Sequence, residues 1–220
     1  MGKRIIQQRR GRGSPTYRVP ERAFKPSLGY RNLSGTVAAL VSNPLMDAPL
    51  AEIRYQDGGS GYMIAPEGIR KGESIGERIL PLSQIREGTQ IFAIETFPHS
   101  GPKMCRSPGS FATLVSKGER EAVVQLPSKK TRTFHLDCRA TLGVPAGEGR
   151  REKPLVKAGA AWHAMHARGK LYPRTKGNRM NIVDHPFGGS GHGKRRPPVS
   201  RHAPPGRKVG TVGSRRTGKR

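Results

Sequence analysis

The middle of the chain carries short runs in which apolar and polar residues alternate, and these runs are rich in β-branched and aromatic side chains. Such runs predict β-strands, and the glycines between them are typical of tight turns. Many short strands at short intervals favour small barrels over a parallel sheet. The predicted strands are residues 36–41, 50–55, 62–65, 90–97, 111–116, 122–126 and 132–136.

This strand-rich region is long enough for two small barrels, with the predicted division near residues 81–87. We therefore expect one domain over residues 32–84 and a second over 85–160. Residues 127–130 predict a four-residue hairpin loop between two of the strands. Helix is scarce, and the best candidate is the stretch 157–168, ended by Gly169.

The two ends of the chain lack a sustained apolar period. Residues 1–31 scatter Arg, Gly and Pro along their length, which predicts an extended arm. From Leu171 onward Gly, Pro and basic residues dominate, and five prolines fall within 186–220. Segments of this kind bury too little apolar surface to fold alone. We predict that 161–220 is an extended basic segment that a partner orders.

The charge distribution indicates what that partner is. The 220 residues include 41 Lys or Arg and 15 Asp or Glu, a formal charge of +26. Residues 32–149 hold 13 basic and 12 acidic residues, whereas 150–220 hold 19 basic against two acidic, and 1–31 hold nine basic against Glu21. A near-neutral centre between two cationic extensions is typical of a protein whose ends enter folded RNA.

Membrane and cysteine chemistry are poor alternatives. No apolar run approaches the ~20 residues that a spanning helix needs. The first residues lack the apolar stretch of a secretory signal, and Ile6 stands where myristoylation requires Ser or Thr. Cys105 and Cys138 are solitary, which indicates neither a zinc ribbon nor a disulfide framework. We expect a reducing, cytoplasmic setting and a buried Cys138.

The tail sequence GGSGHGKR, residues 188–195, is one residue short of a phosphate-binding loop. The working motif needs Ser or Thr after the lysine to hold magnesium, and Arg195 occupies that position. Pro197 and Pro198 also prevent the helix that must follow. We interpret these glycines as backbone that lies close to RNA phosphates.

Two histidine patterns suggest chemistry. Asp184 precedes His185, which raises the hypothesis of a general base oriented by a carboxylate. Adjacent side chains in an extended chain point apart, so the alternative is that His185 contacts RNA while Asp184 caps a turn. His163 and His166 have a spacing that suits metal ligands on a helix, but no third ligand is evident nearby. We expect that pair to face solvent or RNA.

Basic residues cluster in the segments that cannot fold alone. Arginine is favoured where planar, bidentate contact with phosphate matters, and interleaved aromatic rings can stack on bases. The basic runs are 9–10, 129–130, 150–151, 194–196 and 215–216, and the aromatic candidates are Tyr17, Tyr30, Trp162, Tyr172 and Phe187.

Four motifs together resemble one family, the second of the universal large-subunit ribosomal proteins. The most specific is RMNIVDHPFGGSGHG at 179–193, supported by RSPGSFATLV at 106–115, DCRATLG at 137–143 and KAGAAW at 157–162. Their order and spacing cover most of the chain from Gly29 to Gly193. Phe187 and the short N-terminal arm resemble the archaeal and eukaryotic branch, whereas Ser190 and His192 replace the Gly and Glu common in bacterial relatives.

The resemblance implies a mainly β fold, an OB-type barrel followed by an SH3-like barrel with extended basic arms at both ends. It implies a structural role near the peptidyl transferase centre, in contact with large-subunit rRNA, neighbouring ribosomal proteins and the small subunit. No enzyme activity, protein-bound metal or homo-oligomer is expected, and magnesium would be held mainly by rRNA. The family's loop histidine falls on His185, so the rival reading is that His185 acts as general base in peptide bond formation.

Charge and resemblance together predict the residues that bind rRNA. They are Arg9, Arg10, Arg12, Arg18, Arg31, Arg174, Lys176, Arg179, Asn181, Asp184, His185, Gly188, Gly189, Gly191, His192, Lys194, Arg195, Arg196, Arg201, Arg207, Lys208, Arg215 and Arg216. A third reading makes the chain a free-standing nucleic-acid chaperone or processing factor built on the same two barrel types.

Overall fold

A computed structural model describes residues 2–10, 12–21, 23–31, 33–150, 152–189, 199–200 and 202–204. The chain divides into two compact units. The central unit is Glu21–Val156, and the terminal unit combines Met1–Pro20 with Lys157–Arg220.

The first sheet of the central unit has three antiparallel strands in the order β1-β2-β3. These are β1 (Gly35–Val41), β2 (Leu50–Tyr55) and β3 (Ser60–Ile64). A shift of register between Val37 and Ala39 bends β1. Val37, Ile53 and Met63 all lie in the buried core of this sheet, as the alternation of apolar residues predicts.

The second sheet has six antiparallel strands in the order β4-β9-β5-β6-β7-β8. Its strands are β4 (Ile79–Pro81), β5 (Gln90–Phe92), β6 (Ala112–Lys117), β7 (Glu121–Gln125), β8 (Thr131–His135) and β9 (Arg139–Leu142). Its core is built from Leu82, Ile91, Leu114, Val124 and Phe134 with their neighbours. The prediction of a mainly β protein is confirmed.

A third buried cluster joins the two sheets. Leu50 and Ile64 of the first sheet pack with Phe92 and Ala93 of the second, and Tyr30 closes the cluster. The Tyr30 hydroxyl donates a hydrogen bond to the Ala93 carbonyl at 2.7 Å, and the Thr141 hydroxyl lies 2.7 Å away on its other side. Burial raises the pKa of Tyr30, so this phenol stays protonated.

All seven predicted strands are present, with one large change of length. The predicted strand 90–97 is continuous only over Gln90–Phe92, because Ala93 adopts a positive φ of 52° that breaks the extended conformation. Beyond the break, Ile94 forms an isolated antiparallel bridge with Met104. Strands β4 and β9 were missed, since runs of three and four residues carry almost no periodic signal. Because β4 pairs with β9, residues 79–81 belong to the second sheet; the domain ranges 32–84 and 85–160 stay a prediction.

The predicted hairpin loop is present between β7 and β8. Leu126 donates its backbone N–H to the Lys130 carbonyl at 2.9 Å, and Lys129 adopts a φ of 62°. A residue in the left-handed region closes such loops without splaying the strands.

The terminal unit holds the helices α1 (Ile6–Arg10) and α2 (Ala158–His166) and single 3₁₀ turns at Pro15–Tyr17 and Gly177–Arg179. The prediction of a helix near 157–168 is confirmed, and Gly169 ends it with a φ of 61°. Helix α1 departs from the extended arm predicted for 1–31. Ile5 is buried, and its backbone N–H donates to the Gln8 side chain at 3.0 Å, which stabilises the first turn.

Candidate nucleic-acid interface

The terminal unit concentrates positive charge. Its two ranges, 1–20 and 157–220, hold 22 of the 41 Lys and Arg residues, and Asp184 is their one acidic residue. The sequence predicted two separate arms, but the structure combines them: the Lys3 backbone N–H donates to the Val183 carbonyl at 2.7 Å, and Lys3 Nζ lies 3.8 Å from an Asp184 carboxylate oxygen. Lys3 was not predicted as a site residue, because no local pattern pairs residues 180 positions apart.

The loop from residue 177 to 189 contains the described part of the motif at 179–193. Hydrogen bonds close it on itself: Asp184 N–H donates to the Asn181 carbonyl at 3.0 Å, and Gly189 N–H donates to the Met180 carbonyl at 3.1 Å. Gly188 is buried, and a Cβ there would lie 2.2 Å from the Asn181 carbonyl oxygen. No side chain fits at that distance, so the fold of the loop requires glycine at 188.

His185 is held from two sides. Its Nδ1 accepts the backbone N–H of Phe187 at 3.0 Å, and the two rings meet edge to face with centroids 5.0 Å apart. The ring also covers Gly177, where a Cβ would lie 2.5 Å from Cε1 and Nδ1. A side chain this constrained presents one fixed edge of the imidazole.

The hydrogen bond to Nδ1 determines which protons the neutral ring carries. Because Nδ1 accepts, the proton of a neutral His185 resides on Nε2. A general base needs a nitrogen that accepts, whereas Nε2 in this tautomer donates. Asp184 forms an ion pair with Lys3, whose Nζ lies 3.8 Å from its carboxylate. In this tautomer a neutral His185 has no ring nitrogen left that accepts a proton, so the arrangement gives no support to a general-base role.

The loop carries its polar groups outward. Asn181 and Arg179 are exposed, and Ile182, which follows Asn181 in the chain, is 70% exposed. Asp184 and His185 are half-buried. Exposed donors beside an apolar tip match what an RNA surface offers, phosphate oxygens together with sugar and base faces.

The predicted cationic residues lie at the surface wherever the structure describes their side chains. The exposed ones are Arg9, Arg12, Arg18, Arg174, Lys176 and Arg179 in the terminal unit and Arg31 in the central unit. Arg31 is partly engaged: it lies 3.5 Å from Asp57 and 5.0 Å above the Tyr55 ring. Arg10 ends α1. The remaining predicted residues, Gly191, His192, Lys194, Arg195, Arg196, Arg201, Arg207, Lys208, Arg215 and Arg216, lie outside the described residues.

Helix α2 exposes an aromatic group. Trp162 is 42% exposed, stacks on His166 at 4.9 Å and meets His163 edge to face at 4.8 Å. The two imidazoles are exposed, in line with the expectation that they face solvent or RNA. Within the described ranges, no three His, Cys, Asp or Glu side chains come together in a way that could hold a metal ion.

Of the phosphate-loop motif at 188–195, only Gly188 and Gly189 are described. They follow a 3₁₀ turn and a closed loop rather than a buried strand, so this part of the motif lacks the strand that precedes a nucleotide-binding loop. Burial raises the pKa of Cys105 to about 11, and burial with the nearby charge of Glu95 raises the pKa of Cys138, which disfavours the nucleophilic thiolate at both positions. Both thiols are free.

Over the described residues, no helix combines the length and the apolar content that membrane crossing demands.

A mainly β body with a separate, strongly cationic terminal unit defines a protein of the RNA-binding class. The particular family follows from comparison: the chain belongs to the ribosomal L2 proteins. Residues 2–76 match the family described as Ribosomal Proteins L2, RNA binding N-terminal domain, and residues 75–207 match Ribosomal Proteins L2, C-terminal domain.

Curated relatives match along the whole chain. The large ribosomal subunit protein uL2 of Methanococcoides burtonii is 45% identical over 240 residues, and that of Methanothermobacter thermautotrophicus is 44% identical over 240 residues, each alignment covering 100% of both chains. The uL2 protein of Halorubrum lacusprofundi is 45% identical and covers 100% of this chain and 98% of its own. The resemblance carried by the four motifs is confirmed, as is the fold class, an OB-type half followed by an SH3-like half.

Proposed function

We propose that this protein is a structural constituent of the large ribosomal subunit that binds large-subunit rRNA near the peptidyl transferase centre and supports subunit association and assembly. The observation that carries the proposal is the pair of family matches, which together span residues 2–207. The relatives that cover the whole chain carry the name of a large-subunit protein. The protein works in the cytoplasm, within the ribosome.

The mechanism is electrostatic bracing. The sheets of the central unit form a rigid body. The terminal unit contains 22 basic residues and one acidic residue, Asp184, and this positive charge binds RNA. Each phosphate that a cation neutralises releases condensed counterions, which supplies affinity, and the neutralised strands can then pack closely. Recognition is of folded RNA shape, because the deep groove of A-form helices hides base edges.

Neighbouring ribosomal proteins and the small subunit complete the set of partners, and the chain acts as one copy rather than as a homo-oligomer. Magnesium at this interface is held chiefly by rRNA phosphates, which provide the hard oxygen ligands that this ion prefers. The protein contributes no catalytic group of its own: the role of His185 is structural, because its Nδ1 accepts the Phe187 N–H and helps to order the loop that meets RNA.

Truncation tests the electrostatic mechanism. Removing 186–220 takes away ten basic residues. Each lost phosphate contact lowers the slope of log affinity against log salt by about 0.7–0.9, so binding to large-subunit rRNA should lose a large part of its salt dependence. The matched control is a full-length chain with the same ten residues changed to Gln, which should show the same loss. An unchanged slope in both proteins contradicts the mechanism.

Two assays separate the rival functions. Subunits assembled with His185→Gln should retain the chemical step of peptide bond formation, and any defect should appear in assembly. A loss of several orders of magnitude in that step with normal assembly would instead establish catalysis. A free-standing chaperone or processing factor should dissociate from large subunits in a high-salt gradient, whereas a structural constituent co-sediments with them.

A further inference from the structure

The terminal unit contains a half-open recess of about 240 Å³. Sites for drug-sized ligands occupy roughly 300–1,000 Å³, so this recess suits a smaller group. Four apolar or aromatic side chains and two cations line it: Ile6, Tyr17, Met165, Leu171, Lys170 and Arg174.

The walls of the recess come from both ends of the chain. Ile6 lies on α1, Tyr17 on the first 3₁₀ turn and Met165 on α2. Lys170 N–H donates to the Met165 carbonyl at 2.9 Å and folds the chain back after the helix. Gly169 lies so close to the Tyr17 backbone that a Cβ would approach its carbonyl oxygen to 2.6 Å, and this contact brings the next residue, Lys170, to the Tyr17 turn.

The lining suits an aromatic ring joined to an anion. Ile6, Tyr17, Met165 and Leu171 are half-buried and offer apolar, polarisable surface. Lys170 and Arg174 are exposed, and neither has an ion-pair partner among the described residues. A planar base fits the apolar wall, while its phosphate lies within reach of the cations.

A second recess, of about 220 Å³ in the central unit, lacks this feature. Its cations are already engaged: Arg139 pairs with Glu95 at 3.2 Å, and Arg31 lies 3.5 Å from Asp57. Unengaged positive charge therefore distinguishes the recess in the terminal unit.

We propose that the recess lined by Tyr17, Met165 and Leu171 binds one unstacked nucleotide of rRNA, with Lys170 and Arg174 on its phosphate. The inference rests on the proposed function, because it takes RNA as the partner and adds a base-accepting site to it. Proteins recognise RNA sequence chiefly where bases have left the stack. Charge contacts alone would let the terminal unit bind at many positions along the RNA. A site for one unstacked base would fix it at a single position.

Two pairs of variants test the site by binding of the full chain to large-subunit rRNA. Leu171→Trp fills the recess and keeps the charge, and we expect it to weaken binding roughly tenfold with an unchanged salt slope. Its control is Val156→Trp, at an apolar position that is 86% exposed and outside the recess, which should bind normally. The double variant Lys170→Gln, Arg174→Gln should weaken binding more than the double variant Lys157→Gln, Lys176→Gln does. It should lower the salt slope by about 0.7–0.9, the change expected for the loss of one phosphate contact.

Ultraviolet cross-linking of the unaltered chain to the same RNA gives a readout that does not depend on variant folding. Mass spectrometry should find nucleotide adducts on Tyr17 or Met165 that map to a single rRNA position. Normal binding of Leu171→Trp together with adducts only at other surfaces, such as Trp162, overturns the site and leaves the proposed function standing. So does a protein–protein cross-link that places a neighbouring protein's side chain in the recess of assembled subunits. Failure of the unaltered chain to bind the RNA would overturn the proposed function itself.

Discussion

The imidazole of His185 lies directly over Gly177, so close that a Cβ on Gly177 would stand 2.5 Å from two of the ring atoms. The ring and the bare glycine thus form one contact that orders the loop 177–189, with the Phe187 N–H bonded to Nδ1 on the other edge. This loop holds the motif that carried the family resemblance, and its geometry explains why small and aromatic residues occur there together.

We predict that Gly177→Ala displaces the His185 ring and destabilises the loop by about 1–3 kcal/mol, the usual cost of overpacking. The same change in a His185→Ala background should cost much less, because the atoms that clash are then absent. Hydrogen exchange of the loop amides measures both effects. Gly159→Ala in α2, where a Cβ meets nothing within 4 Å, is the control and should be neutral or slightly stabilising. Equal costs of Gly177→Ala in the two backgrounds would show that the contact does not order the loop.

The ion pair of Glu95 and Arg139 should matter for folding of the central unit. The Glu95 side chain is fully buried and accepts hydrogen bonds from Arg139 N–H at 2.9 Å and Gly101 N–H at 3.0 Å. Breaking a buried pair by removing one partner costs about 3–5 kcal/mol, so Glu95→Gln should lower the free energy of unfolding by an amount near that range. Asp57→Asn, which removes an exposed partner of Arg31, should cost at most about 1 kcal/mol. Urea unfolding measures both.

Glu95 also predicts a pH dependence. Burial alone would raise its pKa, but the hydrogen bonds from Arg139 and Gly101 outweigh burial and hold the pKa of this carboxyl below its ordinary value of 4.5. A lowered folded-state pKa stabilises the native state fully above the unfolded value, and the contribution is lost as pH falls through the folded value. The stability difference between the unaltered chain and Glu95→Gln should therefore be constant above about pH 5 and shrink below it. A difference that grows on acidification contradicts the assignment.

Tyr30→Phe removes a hydroxyl that joins the segment before β1 to the second sheet. The Ala93 carbonyl and the Thr141 hydroxyl, both in buried residues, would each lose a partner. Unsatisfied buried groups cost about 1–3 kcal/mol, and we expect a loss of that size in the free energy of unfolding. Tyr62→Phe is the control, since the Tyr62 hydroxyl has no hydrogen bond to a described residue, and it should be nearly neutral. Equal stabilities for the two variants would exclude the bridging role.

The two thiols should be inert in the native protein. The pKa of Cys105 is raised to about 11 and that of Cys138 is also raised, so thiolate is scarce near neutral pH. Iodoacetamide should modify neither residue at pH 7.5 on the timescale in which it modifies both in denaturant, as intact mass shows. Rapid modification of Cys105 in the folded chain would contradict this prediction, because it would show that the thiol is accessible to solvent and that its pKa is not raised.

Those features of this protein that depend on local residue patterns could be predicted from its sequence. The alternation of apolar and polar residues predicted seven strands. Side chains in a strand point alternately to its two faces, so a strand with one buried face has an apolar residue at every second position. The net charge of +26 predicted an RNA partner, because so large a positive charge favours binding to a polyanion whatever its position along the chain. The motif at 179–193 gave the family.

Contacts between residues far apart in the sequence could be identified only from the folded chain. Strands β4 and β9 pair with each other. This pairing stabilises both strands, although neither short sequence has a strand pattern of its own. The sequence predicts that the Tyr30 ring could stack on a base, but in the structure this residue is buried and its hydroxyl contacts Ala93 and Thr141. Lys3 meets Asp184, and Tyr17 shares a recess with Met165 and Leu171, because the two ends of the chain pack together. Long-range contacts of this kind depend on the whole folded chain, so no local pattern of residues records them.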